Sequence, residues 1–306
     1  MRPVTLLLGA RPLQEEIRAQ IAEKTRWWRE QGVLPRLDLI LCGEKGPSAA
    51  YAEGLARSGR SLGLVVEKHT LPETLCEGEY MAQLQRIGCD PAVHGLLPLV
   101  PLPAQIRREV VAPVIPPCKD VDAISPHTLG LFFSGHPTFI PSTARAVDEL
   151  LSYYRISLAG RRVVIIGRGP SAGRAIAWMC LQRDATVTVC HSKTVHLSEI
   201  TRQAEVLICV AGQPEMVGAA FIRPGAVVID VGMTWMGGRL VGDVCFAEVE
   251  PLASAITPVP GGVGPITTAV LLEATMEATA LNTGKHADAG CLEIVNHIPI
   301  QFESER

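Results

Sequence analysis

The chain has 306 residues, 47% hydrophobic and 19% charged, with a formal net charge of -3. That length suits about two domains of ~150 residues, each able to bury a core. The composition excludes a disordered chain, and the absence of a dense basic block argues against nucleic-acid or anionic-membrane partners.

The apolar run in MRPVTLLLGARPLQEE is too short for a signal-peptide core or a spanning helix and reads as a first β-strand. Residues 13–31 carry apolar positions at helical spacing, and Gly32 ends that pattern. LDLILCG then reads as a buried strand, residues 48–62 as a second helix and LGLVVEKHTL as a second strand. GLLPLVPLP at 95–103 holds three prolines, which remove backbone donors, so it predicts at most a short strand running into a loop. From about residue 160, RRVVIIG, ATVTVC, VLICVAG and AVVIDVG are short β-branched runs separated by helix-length segments. Strands buried on both faces and joined by crossover helices read this way; an antiparallel sandwich fits poorly. Residues 142–264 are therefore expected to form a doubly wound nucleotide-binding domain. An amphipathic helix at 266–281 is expected to pack back on the first domain, residues 1–141, and the tail 282–306 carries no readable pattern. The fold class is α/β: an N-terminal α/β catalytic domain plus a Rossmann-type parallel-sheet domain.

Nine cysteines occur, none spaced as C-x-x-C, several inside apolar runs. They read as buried free thiols of a reducing cytoplasm, with no metal site.

The chemistry concentrates at RRVVIIGRGPSAGRAIAWMC, a strand, glycine turn and helix. Gly167 permits the tight turn, Gly169 lets backbone approach a pyrophosphate, and Gly173 lets the helix sit close to the strand, whose neighbouring helix N-terminus offers N–H groups to an anion. The glycine spacing is one residue longer than the common dinucleotide fingerprint. The next strand ends in Cys190-His191-Ser192-Lys193, with no acid to hold a ribose 2′-hydroxyl. With Arg168 in the turn, His191, Ser192 and Lys193 favour a 2′-phosphate, hence NADP over NAD; solvated loop residues are the plainer alternative.

KDVDA at 119–123, GRGPSAG at 167–173, ATVTVCHSKT at 185–194, PGAVVIDVG at 224–232, LVGDVCF at 240–246 and ITPVPGGVGPITTAVLLEAT at 256–275 span nearly the whole chain. On these stretches the chain resembles the FolD family, the bifunctional methylenetetrahydrofolate dehydrogenase/methenyltetrahydrofolate cyclohydrolases. The resemblance implies a folate held in a cleft beside a nicotinamide ring. It places Tyr51, Asp122, Pro260, Gly261 and Gly262 at the substrate and implies a homodimer. It also exposes departures. The family pattern sets a lysine one helical turn after the tyrosine; here that position is Leu55. A Val-Gln-Leu-Pro-Leu-Pro loop becomes Pro98-Leu99-Val100-Pro101-Leu102-Pro103 with Leu99 at the glutamine, and the glycine after KDVD is Ala123. Lys45 and Arg57 read as solvated charges rather than relocated catalysts. His94 reads as structural, His127 and Ser125 as minor site candidates, and Asp230 and Asp243 as loop-fixing groups. Thr143 and Arg145 fall where the family carries a Pro-Cys-Thr-Pro turn. The glycine turn and PVPGGVGP are expected to serve ligands, with no structural need of their own.

These features lead to an NADP-dependent methylenetetrahydrofolate dehydrogenase, cytoplasmic, whose cyclohydrolase activity is weak or lost. A related oxidoreductase acting on a different C–N bond and a catalytically silent NADP- or folate-binding protein are the alternatives.

Overall fold

The computed structural model describes residues 4–170 and 172–285. The chain opens with β1 (Leu6–Leu7), α1 (Arg11–Glu30), β2 (Arg36–Cys42), α2 (Pro47–Ser61), β3 (Val65–Leu71), α3 (Glu77–Gly88) and β4 (Gly95–Pro98). It continues with α4 (Arg108–Val111), α5 (Pro126–Phe133) and α6 (Ser142–Tyr153). Then come β5 (Arg162–Ile166), α7 (Gly173–Gln182), β6 (Thr186–Cys190), α8 (Leu197–Thr201), β7 (Val206–Cys209) and β8 (Val227–Asp230). A hairpin of β9 (Thr234–Met236) and β10 (Arg239–Val241), then α9 (Phe246–Val249), β11 (Ala255–Ile256) and α10 (Val263–Thr283), complete the order.

Two compact units result. Of the described residues, one holds those up to Glu15 together with Thr143–Thr267; the other holds Glu16–Ser142 together with 268–285. The first, the nucleotide unit, is built on a six-stranded sheet ordered β1-β11-β8-β7-β5-β6, with every pairing parallel. Val164, Ile166, Leu207, Val228 and Ile256 form part of its core. The second, the substrate unit, carries a parallel three-stranded sheet ordered β3-β2-β4. Ile40, Tyr80, Leu84, Leu96 and Ile115 fill one side of it.

Three expectations change. The first strand belongs to the nucleotide unit, because β1 pairs with β11. Two-residue β1 cannot stand alone, and the sheet edge offers it partners. The last helix is not amphipathic: Ala269 through Thr275 are all buried, with Met276, Ala278 and Thr279. The physical reason is packing on several sides. Gly59 of α2 admits Leu272, Gly95 of β4 lies against Thr275, and Thr25 of α1 bonds the Met276 sulfur at 3.6 Å. Its buried Glu273 is matched by Lys24 at 2.8 Å. Third, Cys76, Cys89 and Cys118 are exposed, whereas Cys180, Cys190 and Cys209 are buried; the eight cysteines among the described residues are free thiols. Cys291 and the rest of the tail from residue 286 lie outside the described residues.

Two carboxylates knit the C-terminal ends of the nucleotide sheet, as expected of loop-fixing groups. Asp243 accepts from the backbone N–H groups of Ala211 (2.6 Å), Gly212 (3.1 Å) and Gln213 (2.7 Å). Asp230 accepts from Gly232 (2.9 Å), Asp243 (3.0 Å) and Val244 (2.9 Å). Burial pushes the Asp230 carboxyl up to about 6, against those donors. Removing one acceptor orphans buried backbone donors, which costs more than the hydrogen bonds themselves contribute. Asp243→Ala is expected to lower the stability of the fold by about 3 kcal/mol in urea denaturation. A loss below about 1 kcal/mol would show that water replaces the carboxylate there.

Candidate active site

In the nucleotide unit, β5 pairs with β6 on one side and β7 on the other. The glycine turn therefore leaves β5 at the topological switch point, where open parallel sheets present ligand crevices. Gly167 has φ +127°, and a Cβ there would collide with the Val210 carbonyl. Gly173, the first residue of α7, would bring its Cβ into the Gly167 carbonyl. Both glycines thus have the structural roles read for each of them singly, and the turn as a whole does have a structural need of its own. Gly169 differs: a Cβ there meets nothing within 4 Å, and the residue is exposed. No protein contact demands glycine at 169, and the open space suits close approach by a diphosphate. Among the described residues no side chain caps the α7 N-terminus at Ala172; the Arg174 N–H donates to the Gly169 carbonyl at 3.1 Å, which holds the turn against the start of the helix.

The loop after β6 is a built turn. The His191 N–H donates to the Thr194 hydroxyl at 2.9 Å, and Thr194 N–H returns a bond to the His191 carbonyl at 2.8 Å. Lys193 N–H donates to His191 Nδ1 at 3.1 Å. That bond assigns the neutral ring's proton to Nε2, leaving it a donor. Arg168, Ser192 and Lys193 are exposed, with His191 half-buried. Turn and loop supply hydroxyl, imidazole and cationic groups at the ends of adjacent strands β5 and β6.

Pro260, Gly261 and Gly262 fall in the same unit, between β11 and α10. The Gly261 carbonyl accepts from Ala10 N–H at 2.7 Å. A Cβ at Gly262 would lie 2.6 Å from the Pro258 carbonyl oxygen. This segment too has a structural need that sequence reasoning did not anticipate, because the contacts come from its own tightly folded loop and from a distant one.

In the substrate unit, α2 starts at Pro47 after Gly46, and Ser48 Oγ donates to the Val100 carbonyl at 2.9 Å, tying the proline loop to the helix start. Tyr51 and Leu55 follow one turn apart. Leu55 is 1% exposed and Leu99 6% exposed, so both leucines are core residues. The Tyr51 hydroxyl lies near the side chain of Thr268 on α10. Burial, reinforced by the nearby Asp122 charge, pushes the phenol upward, and the neighbouring Thr268 side chain opposes that shift.

Asp122 sits in a loop that its neighbours make rigid. Asp120 accepts from Ile124 N–H (3.0 Å) and Ser125 N–H (2.8 Å). Lys119 is buried and donates to the Asp90 carbonyl at 2.7 Å. Ala123 holds φ +48°, which explains why glycine is the family's usual residue there. The Asp122 carboxylate accepts from the Ser142 backbone N–H at 3.2 Å and from the Ser142 hydroxyl. Burial pushes its pKa up to about 6, the Ser142 bonds opposing.

Other candidates resolve plainly. Ser125 caps α5 and His127 is exposed on that helix. His94 Nδ1 accepts from Arg36 N–H at 3.2 Å in a buried setting, a structural role. Thr143 and Arg145 lie in the first turn of α6, Arg145 3.6 Å from Glu149. Lys45 and Arg57 are exposed. Lys45 lines a depression of about 580 Å³ with Glu44, Ala49, Glu53 and Lys68. Neither Tyr51 nor Leu55 borders it. Thr268 and Ser142 went unseen in the sequence. A threonine inside an apolar helix reads as core, and a serine after Pro141 reads as a helix start.

The family described as tetrahydrofolate dehydrogenase/cyclohydrolase matches twice, its catalytic domain over residues 8–122 and its NAD(P)-binding domain over residues 141–283. The bifunctional protein FolD 2 of Geobacter metallireducens is 42% identical over 92% of this chain and 99% of its own length. The chain belongs to the FolD family. Among solved structures, the bifunctional enzyme FolD of Campylobacter jejuni shares 36% identity with a TM-score of 0.88, over 91% of this chain and 99% of that one. The Trypanosoma brucei dehydrogenase-cyclohydrolase, solved with NADP cofactor and an inhibitor, shares 33% identity at TM-score 0.88, over 93% and 100%.

The chain is thus an enzyme of the FolD family, with the two-domain α/β fold and NAD(P)-binding domain of its relatives. Among the described residues no helix is long and apolar enough to cross a membrane. If Arg168 meets a 2′-phosphate, Arg168→Ala is expected to weaken NADPH binding by on the order of 1.5–3 kcal/mol and to leave NADH binding unchanged. Fluorescence titration with both cofactors reads the outcome; equal affinities in the parent protein would refute the assignment.

Proposed function

We propose that the protein is an NADP-dependent 5,10-methylenetetrahydrofolate dehydrogenase with weak or absent cyclohydrolase activity. The observation that carries this reading is Leu55: one turn after Tyr51, on the same helix, stands a fully buried hydrocarbon where the family carries an ammonium.

NADP is the cofactor proposed for the nucleotide unit, held by Gly167, Gly169, Gly173 and the α7 N-terminus, with Arg168, His191, Ser192 and Lys193 toward a 2′-phosphate. Bound there, it supplies the hydride acceptor. In the substrate unit, Asp122 offers a carboxylate to the donor edge of a pterin-like ring, and Tyr51 offers an aromatic face. Pro260, Gly261 and Gly262 are proposed as further substrate contacts. Loss of hydride from the methylene carbon leaves a methenyl cation stabilised by the flanking nitrogens, so that step needs position rather than a base. Hydrolysis of the cation is different. Water forms a C–O bond, a proton must leave it, and a ring C–N bond must break, which calls for titratable groups. Leu55 and Leu99 can neither donate nor accept a proton.

The same reading includes a homodimer and a cytoplasmic location. The exposed Met233 and Trp235 at the β9–β10 hairpin supply apolar surface for a second copy, and the free thiols suit a reducing compartment.

Turnover of methylenetetrahydrofolate with NADP, followed as methenyl product, is the direct test, with NAD for comparison. The methenyl compound is expected to be released rather than hydrolysed, at a deficit of ~100- to 10,000-fold in a direct hydrolysis assay. Leu55→Lys with Leu99→Gln should recover more hydrolysis than the two single changes predict, because such groups act as a unit. Rapid methenyl hydrolysis by the unaltered protein would overturn the loss of cyclohydrolase function; no folate turnover or binding at all would favour an oxidoreductase acting on another C–N bond.

A further inference from the structure

Tyr51 and Asp122 belong to separate segments, yet the Asp122 charge is felt at the Tyr51 phenol, and each has beside it a hydroxyl that the sequence reading passed over. The Tyr51 hydroxyl lies beside Thr268, which is on α10. Asp122 bonds Ser142, which opens α6. In the family's Pro-Cys-Thr-Pro turn the second residue is a cysteine; Pro141-Ser142-Thr143 places a serine there, and an O–H is a far better donor to a carboxylate than an S–H. The tyrosine, without an ammonium one turn along its helix, has a threonine side chain from a different helix near its hydroxyl.

We propose that Thr268 and Ser142 are positioning residues: their hydroxyls hold Tyr51 and Asp122 in the poses that meet the substrate, in a site organised by hydroxyl groups instead of a lysine. The inference rests on the reading that Tyr51 and Asp122 face the folate. Thr268 is half-buried and Ser142 is buried, so each hydroxyl works where water competes little. The two hydroxyls do different things. Thr268 aims an aromatic ring, an effect on substrate pose. Ser142 donates to the carboxylate and favours its charged form.

The second effect is visible in pH. The Asp122 carboxyl, pushed up to about 6 by burial, is opposed by the two Ser142 bonds, raised by neighbouring Asp120 and lowered by Arg108 on α4; Tyr51 faces it from α2. Pairing with pterin donors needs the carboxylate, so kcat/KM falls as pH drops through about 6. Removing the Ser142 hydroxyl disfavours the anion and moves that acid limb upward.

The experiment is steady-state dehydrogenase kinetics of the full chain with methylenetetrahydrofolate and NADP across the acid limb, with NADPH titration as a control for folding of each variant. Thr268→Val is expected to raise KM for the folate about tenfold with kcat within about twofold, and Thr268→Ser to restore it. Ser142→Ala is expected to move the acid limb up by about one pH unit, and Ser142→Thr to return it. A packing role alone would not move the limb or be rescued by a hydroxyl. If Tyr51→Phe and Asp122→Asn each impair turnover while Thr268→Val and Ser142→Ala leave KM and the limb in place, the inference fails and the functional reading stands. If Tyr51→Phe and Asp122→Asn leave turnover intact, the functional reading falls and the inference with it.

Discussion

Backbone meeting backbone at the end of β5 is the constraint on which the nucleotide unit depends. Gly167 turns against the Val210 carbonyl, and Gly173 packs α7 against Gly167 itself. A methyl group at either point would force the helix or β7 away. With both contacts made, α7 starts immediately beyond the switch point of the sheet, its N-terminus at the strand ends. Gly169 is then the one glycine of the turn left without a protein neighbour. The same close packing that fixes the fold therefore also defines where a diphosphate has room.

The rest of that sheet edge is held by charge matched to backbone. Asp230 and Asp243 together accept six backbone N–H bonds from residues following β7, β8 and β10. A carboxylate has enough lone pairs to serve three donors at once, which no neutral side chain of its size can do. These acids are rigid supports of the loops rather than participants in proton transfer.

The substrate unit solves a different problem. A buried ammonium would have to be desolvated and matched by a neighbouring anion. Leu55 removes that requirement, and Leu99 fits the same apolar setting. Near these leucines' sequence neighbours, Tyr51 lies beside Thr268 and Asp122 accepts from Ser142. Such an arrangement can orient a ligand, and it keeps one titratable group, Asp122, near neutrality.

Much of this was legible in residue order. Parallel strands buried on both faces are written as VVII, VLIC and VVID, and the glycine turn follows the first of them. Leu55 needed only a helical period to be placed one turn from Tyr51. Local pattern settles such features because strand, turn and helix each depend on neighbours in sequence. It could not place β1, whose partner β11 lies at the far end of the chain. Nor could it show that α10 is enclosed by α1, α2 and β4, which a helical period of apolar residues does not reveal. Thr268 and Ser142 stayed hidden for the same reason. A hydroxyl acquires a role from the atom it touches, and Tyr51 and Asp122 reach those hydroxyls only when segments distant in sequence are brought together by the tertiary structure.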